Sequence, residues 1–187
     1  DGTPETFHFP VPAQKVEHVI VSLCPTEPWA LPNWVILRHK TTAFLSVLKE
    51  IKNSHFSSAR FYIAINEKED RTVADAKNFA CNEDWMSIFP LYAKYPQDDP
   101  VILTKVILGM DVHFGQDTES LGVLILDAQT VSSIYESCIL RKNVNSRFIV
   151  LSGTGLKENE ILNVQLGTSI GKILKNKSKE VGRYRVF

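Results

Sequence analysis

The sequence predicts an α+β fold: a mostly antiparallel sheet curled into an irregular β-barrel-like shape, with one main amphipathic helix at about residues 42–53 and short helical turns. Three observations lead there. About seven segments rich in β-branched and aromatic residues read as short strands. These do not alternate regularly with helices, as a doubly wound α/β fold requires. Only one segment carries a clean helical stripe.

Along the chain, Thr6 to Pro12 alternates apolar and polar residues before two prolines, which suits an edge strand or an extended arm. His18 to Leu23 is a β-branched strand. Pro25, Pro28 and Pro32 impose an irregular loop carrying Trp29, and Trp34 to Leu37 returns to a strand or a short buried element. Thr42 is a good N-cap for the helix, whose stripe is Phe44, Val47, Leu48 and Ile51. Arg60 to Asn66 is the next strand. Thr72 to Phe79 and Asn82 to Phe89 read as helical turns, the second with Trp85, Ile88 and Phe89 inward. Leu91 to Asp99, bracketed by prolines, reads as a surface loop. Val101 to Met110 reads as a long strand.

The stretch Glu119 to Asn145 organises the rest. Leu121 to Leu126 is an unbroken apolar run expected as buried strand. A polar connection, Asp127 to Ser133, leads to Cys138, Ile139 and Leu140, and then to a basic corner at Arg141 and Lys142. Arg147 to Leu151 and the alternating Ile161 to Leu166 read as further strands, separated by a turn at Ser152 to Gly155. One globular β-rich domain is expected over 1–170. Residues 171–187 form a basic strand or tail, with Lys172, Lys175, Lys177, Lys179, Arg183 and Arg185 against Glu180 alone.

Of 187 residues, 44% are apolar, enough for a real core. Basic and acidic residues number 21 each, so the net charge of zero argues against a dedicated nucleic-acid or anionic-membrane binder while allowing a local patch. Cys24, Cys81 and Cys138 are sparse and unpaired in spacing, which suggests reduced thiols inside a cell. No apolar run approaches the roughly 18 residues needed to span a bilayer. A chain starting at Asp1 without methionine reads as a trimmed chain or a proteolytic product, a polyprotein fragment being one route.

Candidate chemistry is thin. Ser152 to Gly155 lacks the Lys-Ser/Thr ending of a P-loop and reads as a turn. No cysteine has a neighbouring activator among His8, His18, His39, His55 and His113. Asp127 can serve as a general acid or base, or cap the turn that follows it. Asp98 and Asp99 read as solvated loop charges. No catalytic residue, metal site or cofactor is expected. The best binding feature is basic: Arg141, Lys142, Arg147, Lys172, Lys175, Lys177, Arg183 and Arg185, with Tyr184 and Phe187 interleaved, suit phosphate backbones and base stacking.

Glu119 to Leu124, the spaced Tyr135 and Leu140-Arg141-Lys142-Asn143 with Asn145 resemble the corresponding segment of the betacoronavirus leader protein family, the first non-structural product of the replicase polyprotein. The order of strand, helix and strand before it extends the resemblance over about residues 16–150. It implies a non-enzymatic virulence factor that suppresses host gene expression and antagonises innate immunity, with Arg141 and Lys142 as its RNA-related basic corner. Gly171 to Phe187 has no counterpart of that family's ribosome-plugging helices. The expected function is therefore a non-catalytic intracellular binding module in the host cytoplasm. Its expected partners are RNA, a ribonucleoprotein or host proteins, with no membrane. The alternatives are a β-rich capsid-like or assembly protein with exchanging arms at Asp1 to Pro12 and Arg183 to Phe187, and an enzyme of unknown class.

Overall fold

The computed structural model describes residues 15–24, 33, 41–68, 70–81, 83–92 and 94–179. The expected arm at Thr6 to Pro12, the proline loop with Trp29, the element at Trp34 to Leu37, and the residues Arg183 and Arg185 lie outside these. The described residues fall into two compact units that divide between Val144 and Asn145.

The first unit runs β1 (His18–Ser22), α1 (Thr41–Ser54), β2 (Arg60–Asn66), α2 (Asp70–Ala80), β3 (Met86–Leu91), α3 (Pro100–Leu108), β4 (Val123–Asp127) and α4 (Ala128–Ile134). Its four strands form one sheet in the order β3-β2-β1-β4, and every pair is parallel. This is a mixed α/β arrangement with no closed barrel, and it corrects the expected antiparallel sheet. The strands β1, β2 and β4 are covered on both faces, so they read as continuous apolar runs whose partner direction leaves no trace in their own residues.

Two misread segments hid the alternation of strands and helices. Val101 to Met110, expected as a strand, is the helix α3. Its run PVILTKVIL holds only Thr104 and Lys105 as polar residues, too few for period to separate helix from strand. The ends decide. Asp99 Oδ1 accepts from the N–H groups of Val101 (2.9 Å) and Ile102 (3.2 Å), and Pro100 sits in the first turn, where its missing donor costs nothing. Gly109, at φ +73°, closes the helix. Met86 to Phe89, part of the segment expected as a helical turn, belongs to β3 instead. Pro90 is tolerated there because β3 is an edge strand with one unpaired side. The expected turn at Thr72 to Phe79 is a full helix, α2.

Other expectations match. The amphipathic helix is α1, with Phe44, Val47, Leu48 and Ile51 all buried. Thr42, expected as its N-cap, falls within the helix, which begins at Thr41. Leu121 to Leu126 contributes most of β4, with Val123, Leu124 and Leu126 buried. The polar connection after it is helical, α4 followed by a π-helical turn at Tyr135–Ile139, and Ile139 and Leu140 are exposed rather than core.

Register aligns Ile20 with Tyr62 and Ile125, and a core of Ile20, Ala64, Val123 and Leu103 forms where α3 covers that face. The opposite row, Val19 with Phe61 and Leu124, is left to the helices that pack on one another, α1 with α2 and α4. Right-handed crossovers explain the split: two step outward from β1 to β3, and the third steps back, so α3 lands on the other face. Each fully buried large side chain here, such as Phe61 or Ile63, contributes roughly 1.5–3 kcal/mol.

The second unit is smaller. β5 (Ser146–Leu151) pairs antiparallel with β6 (Glu160–Gln165), and α5 (Ile170–Leu174) follows. Both strands match the sequence reading. The division expected at residue 170 falls at the start of α5, inside this unit, and Gly171 to Leu174 are helical rather than strand or tail.

Candidate functional site

In an open parallel sheet, ligands sit outside the carboxyl ends of the strands, where the winding direction reverses. Here the reversal lies between β1 and β4, whose last residues, Ser22 and Asp127, are register partners. Sequence reasoning singles out Cys24 and Asp127 at this edge. It passes over Ser22 and reads Asp98 as a loop charge, because only the strand order designates the edge.

Ser22 is 5% exposed, and its Oγ has no hydrogen-bond partner among the described residues, nor has the buried Nε2 of Gln97. An unmatched buried hydroxyl costs about 1–3 kcal/mol, so it marks either a site for a polar group or plain strain. Cys24 is 2% exposed, and its carbonyl accepts from Asn33 Nδ2 at 3.1 Å. Burial, and secondarily the Asp98 charge, pushes its thiol up to about 12. A thiol held protonated is a poor nucleophile. Asp127 caps α4: its Oδ1 accepts from Thr130 N at 2.5 Å. Of its two readings, the cap is the one the geometry displays.

Among the described residues no group of His, Cys, Asp or Glu side chains could hold a metal ion. No glycine occurs between Gly2 and Gly109, so the sequence between β1 and α1 lacks the glycine fingerprint of a dinucleotide-binding loop.

The basic residues are divided between the units. Arg141 (φ +50°) and Lys142 are exposed just past the π-helical turn in the first unit. Arg147 is exposed on β5, and Lys172 and Lys175 are exposed in and after α5, in the second unit. Lys177 is neutralised by Glu160, with Nζ 2.5 and 2.6 Å from the two carboxylate oxygens.

No family model matches the chain. It is similar to the C subunit of the ion-translocating oxidoreductase complex of Haemophilus influenzae (strain Rd), 24% identical over 161 residues. That match covers 86% of this chain and 20% of the relative. It is also similar to the C subunit of the Na(+)-translocating ferredoxin:NAD(+) oxidoreductase complex of Acetobacterium woodii, 22% identical over 163 residues, covering 87% of this chain and 37% of that one. The chain thus spans well under half the length of these relatives. Among solved structures, an NAD+-reducing [NiFe]-hydrogenase in the air-oxidized state shares the fold. The TM-score is 0.65 at 10% identity, over 87% of this chain and 32% of that chain.

These findings overturn the viral reading. Similarity over 86% of the chain to a component of bacterial redox complexes replaces a likeness whose specific part was Glu119 to Asn145. That stretch is β4 and its following helix, a pattern set by burial and capping that many parallel sheets share. With the viral likeness go the host-shutoff and RNA-binding function, the non-enzyme assignment, the RNA or ribonucleoprotein partner, the host cytoplasm and the capsid-like alternative. The relatives belong instead to multi-subunit oxidoreductases. None of the described helices is long and apolar enough to cross a membrane.

Proposed function

We propose that this chain is a portion of a redox subunit that works inside a multi-subunit, ion-translocating electron-transfer complex, related to the C subunits of such complexes and linked to NAD. The observation that carries the reading is similarity over 86% of the chain to the C subunit from Haemophilus influenzae. The parallel four-stranded sheet supports it, since that fold recurs in a hydrogenase that reduces NAD+. In such enzymes bound groups carry the electron chemistry, while the protein binds, orients and insulates them. The sequence between β1 and α1 carries no glycine fingerprint for a dinucleotide pyrophosphate, so no step is assigned to NAD there.

The experiment is isolation of the full-length protein, tagged in its native cells and extracted in mild detergent. Co-purification with other redox subunits is expected, together with NADH-dependent reduction of ferricyanide that is lost when the segment is deleted. A protein that purifies without redox subunits, from cells whose NADH-dependent reduction survives the deletion, would sink the reading.

A further inference from the structure

Between β3 and β4 the chain exposes apolar surface that its own fold does not use. Apart from Ile139 and Leu140, the large apolar side chains exposed among the described residues of the first unit all belong to this one connection: Tyr92, Tyr95, Val101, Val106 and Phe114. Helix α3 carries only Thr104 and Lys105 as polar residues, yet Val101 and Val106 remain 46% and 52% exposed. Phe114 is fully exposed, at 110% of its reference area.

Phe114 is not on a loose tip. Gln116 N donates to His113 O at 2.9 Å, His113 N donates to Gln116 Oε1 at 3.2 Å, and Gly115 takes φ +81° to close the turn. Asp111, at the base of the turn, pairs with Lys105 at 2.7 Å, and Lys105 shares the exposed face of α3 with Val101 one turn earlier. The turn is therefore tied back to that face. The backbone that carries the aromatic ring is already ordered, which lowers the cost of docking it.

Charge selects the occupant. No lysine or arginine lies between Lys105 and Arg141, and with Asp111 neutralised, Asp117 and Glu119 leave the rim of the turn acidic. An anionic lipid surface would be repelled. A second copy docking by a two-fold axis would set this acidic rim against itself. We infer that Phe114 and the outer face of α3 dock into an apolar pocket with a basic rim on a different polypeptide. Resting on the proposed function, that polypeptide is another member of the redox complex.

The test places the photo-crosslinking residue p-benzoylphenylalanine at Phe114 in the full-length protein, in its native cells, with the same residue at Lys142 as control. An adduct with one different polypeptide is expected from position 114 and not from 142. Its yield should fall several-fold in the D117N/E119Q background. Phe114→Asp should cut co-purification of that polypeptide by about tenfold, as loss of an interface anchor does, with the thermal midpoint unchanged. An adduct with a second copy or with lipid overturns the inference, as does no adduct at position 114. If that happens while redox subunits still co-purify, the docking surface alone falls. An adduct with a polypeptide outside any redox assembly overturns the proposed function and leaves the docking surface standing.

Discussion

At the scale of single residues, two positions illustrate a strong and a weak constraint. Gly122 takes φ +75° at the entrance to β4, and a Cβ there would sit 2.9 Å from the backbone oxygen of Lys15. Its carbonyl accepts from Glu17 N (2.9 Å) and His18 N (3.1 Å), which joins the starts of β1 and β4. Gly122→Ala should therefore cost about 3 kcal/mol, read from urea unfolding, whereas Gly115→Ala, with open space at φ +81°, should cost about 1 kcal/mol. Equal effects would remove the case for a close approach at Gly122. The second position is Glu83. The Lys49 ammonium, bonded at 2.5 Å, and then the indole N–H of Trp85, bonded at 2.6 Å, hold its carboxyl below the usual 4.5. A depressed carboxylate stabilises the fold above its unfolded value and loses that contribution as pH falls through the folded value. Glu83→Gln should lower stability at pH 7 by under about 1 kcal/mol, because solvent screens the pair. The difference from wild type should shrink to nothing in unfolding titrations carried well below pH 4.5.

At the scale of elements, the helix ends are more informative than the helix middles. Asp99, Pro100 and Gly109 bracket α3 and are all plain in the sequence, but the apolar run between them outweighs them in the strand reading. Asp127 ends β4 and starts α4 in one residue. Asp127→Ala should cost about 1 kcal/mol of stability, and Asp127→Ser should recover most of it, because serine can also cap. If the alanine variant in the isolated complex kept its stability but lost NADH-linked electron transfer, the acid–base reading of Asp127 would return in place of the cap.

At the scale of the whole chain, the division between the two units follows an exposed corner. Leu140 to Asn143 are exposed, and the boundary comes after Val144. Brief trypsin treatment of the native protein should cut first at Arg141 or Lys142 and yield two fragments that mass spectrometry assigns to the units. A first cut within the parallel sheet would contradict the division. The same corner is the RNA contact that the sequence predicts. Its exposure is real, but the similarity to redox-complex subunits gives it no nucleic acid to meet.

Much of the first unit is legible from local pattern. The stripe of α1, the β-branched runs of β1 and β2, the buried start of β4 and, in the second unit, the alternation of β6 each follow from burial on a known period, which the residues record directly. Strand direction, strand order and the coverage of each face are not legible, because a buried strand looks the same whether its neighbour runs parallel or antiparallel. Those decide the class of the fold and the place of the candidate site. Ser22 and Asp127 are far apart in sequence and become partners only because β1 and β4 pair side by side. Local residues determined that Ser22 ends a buried strand and that Asp127 precedes a turn. The tertiary structure alone decided that they share one edge, since pairing between distant strands is chosen by packing and crossover handedness over the whole chain.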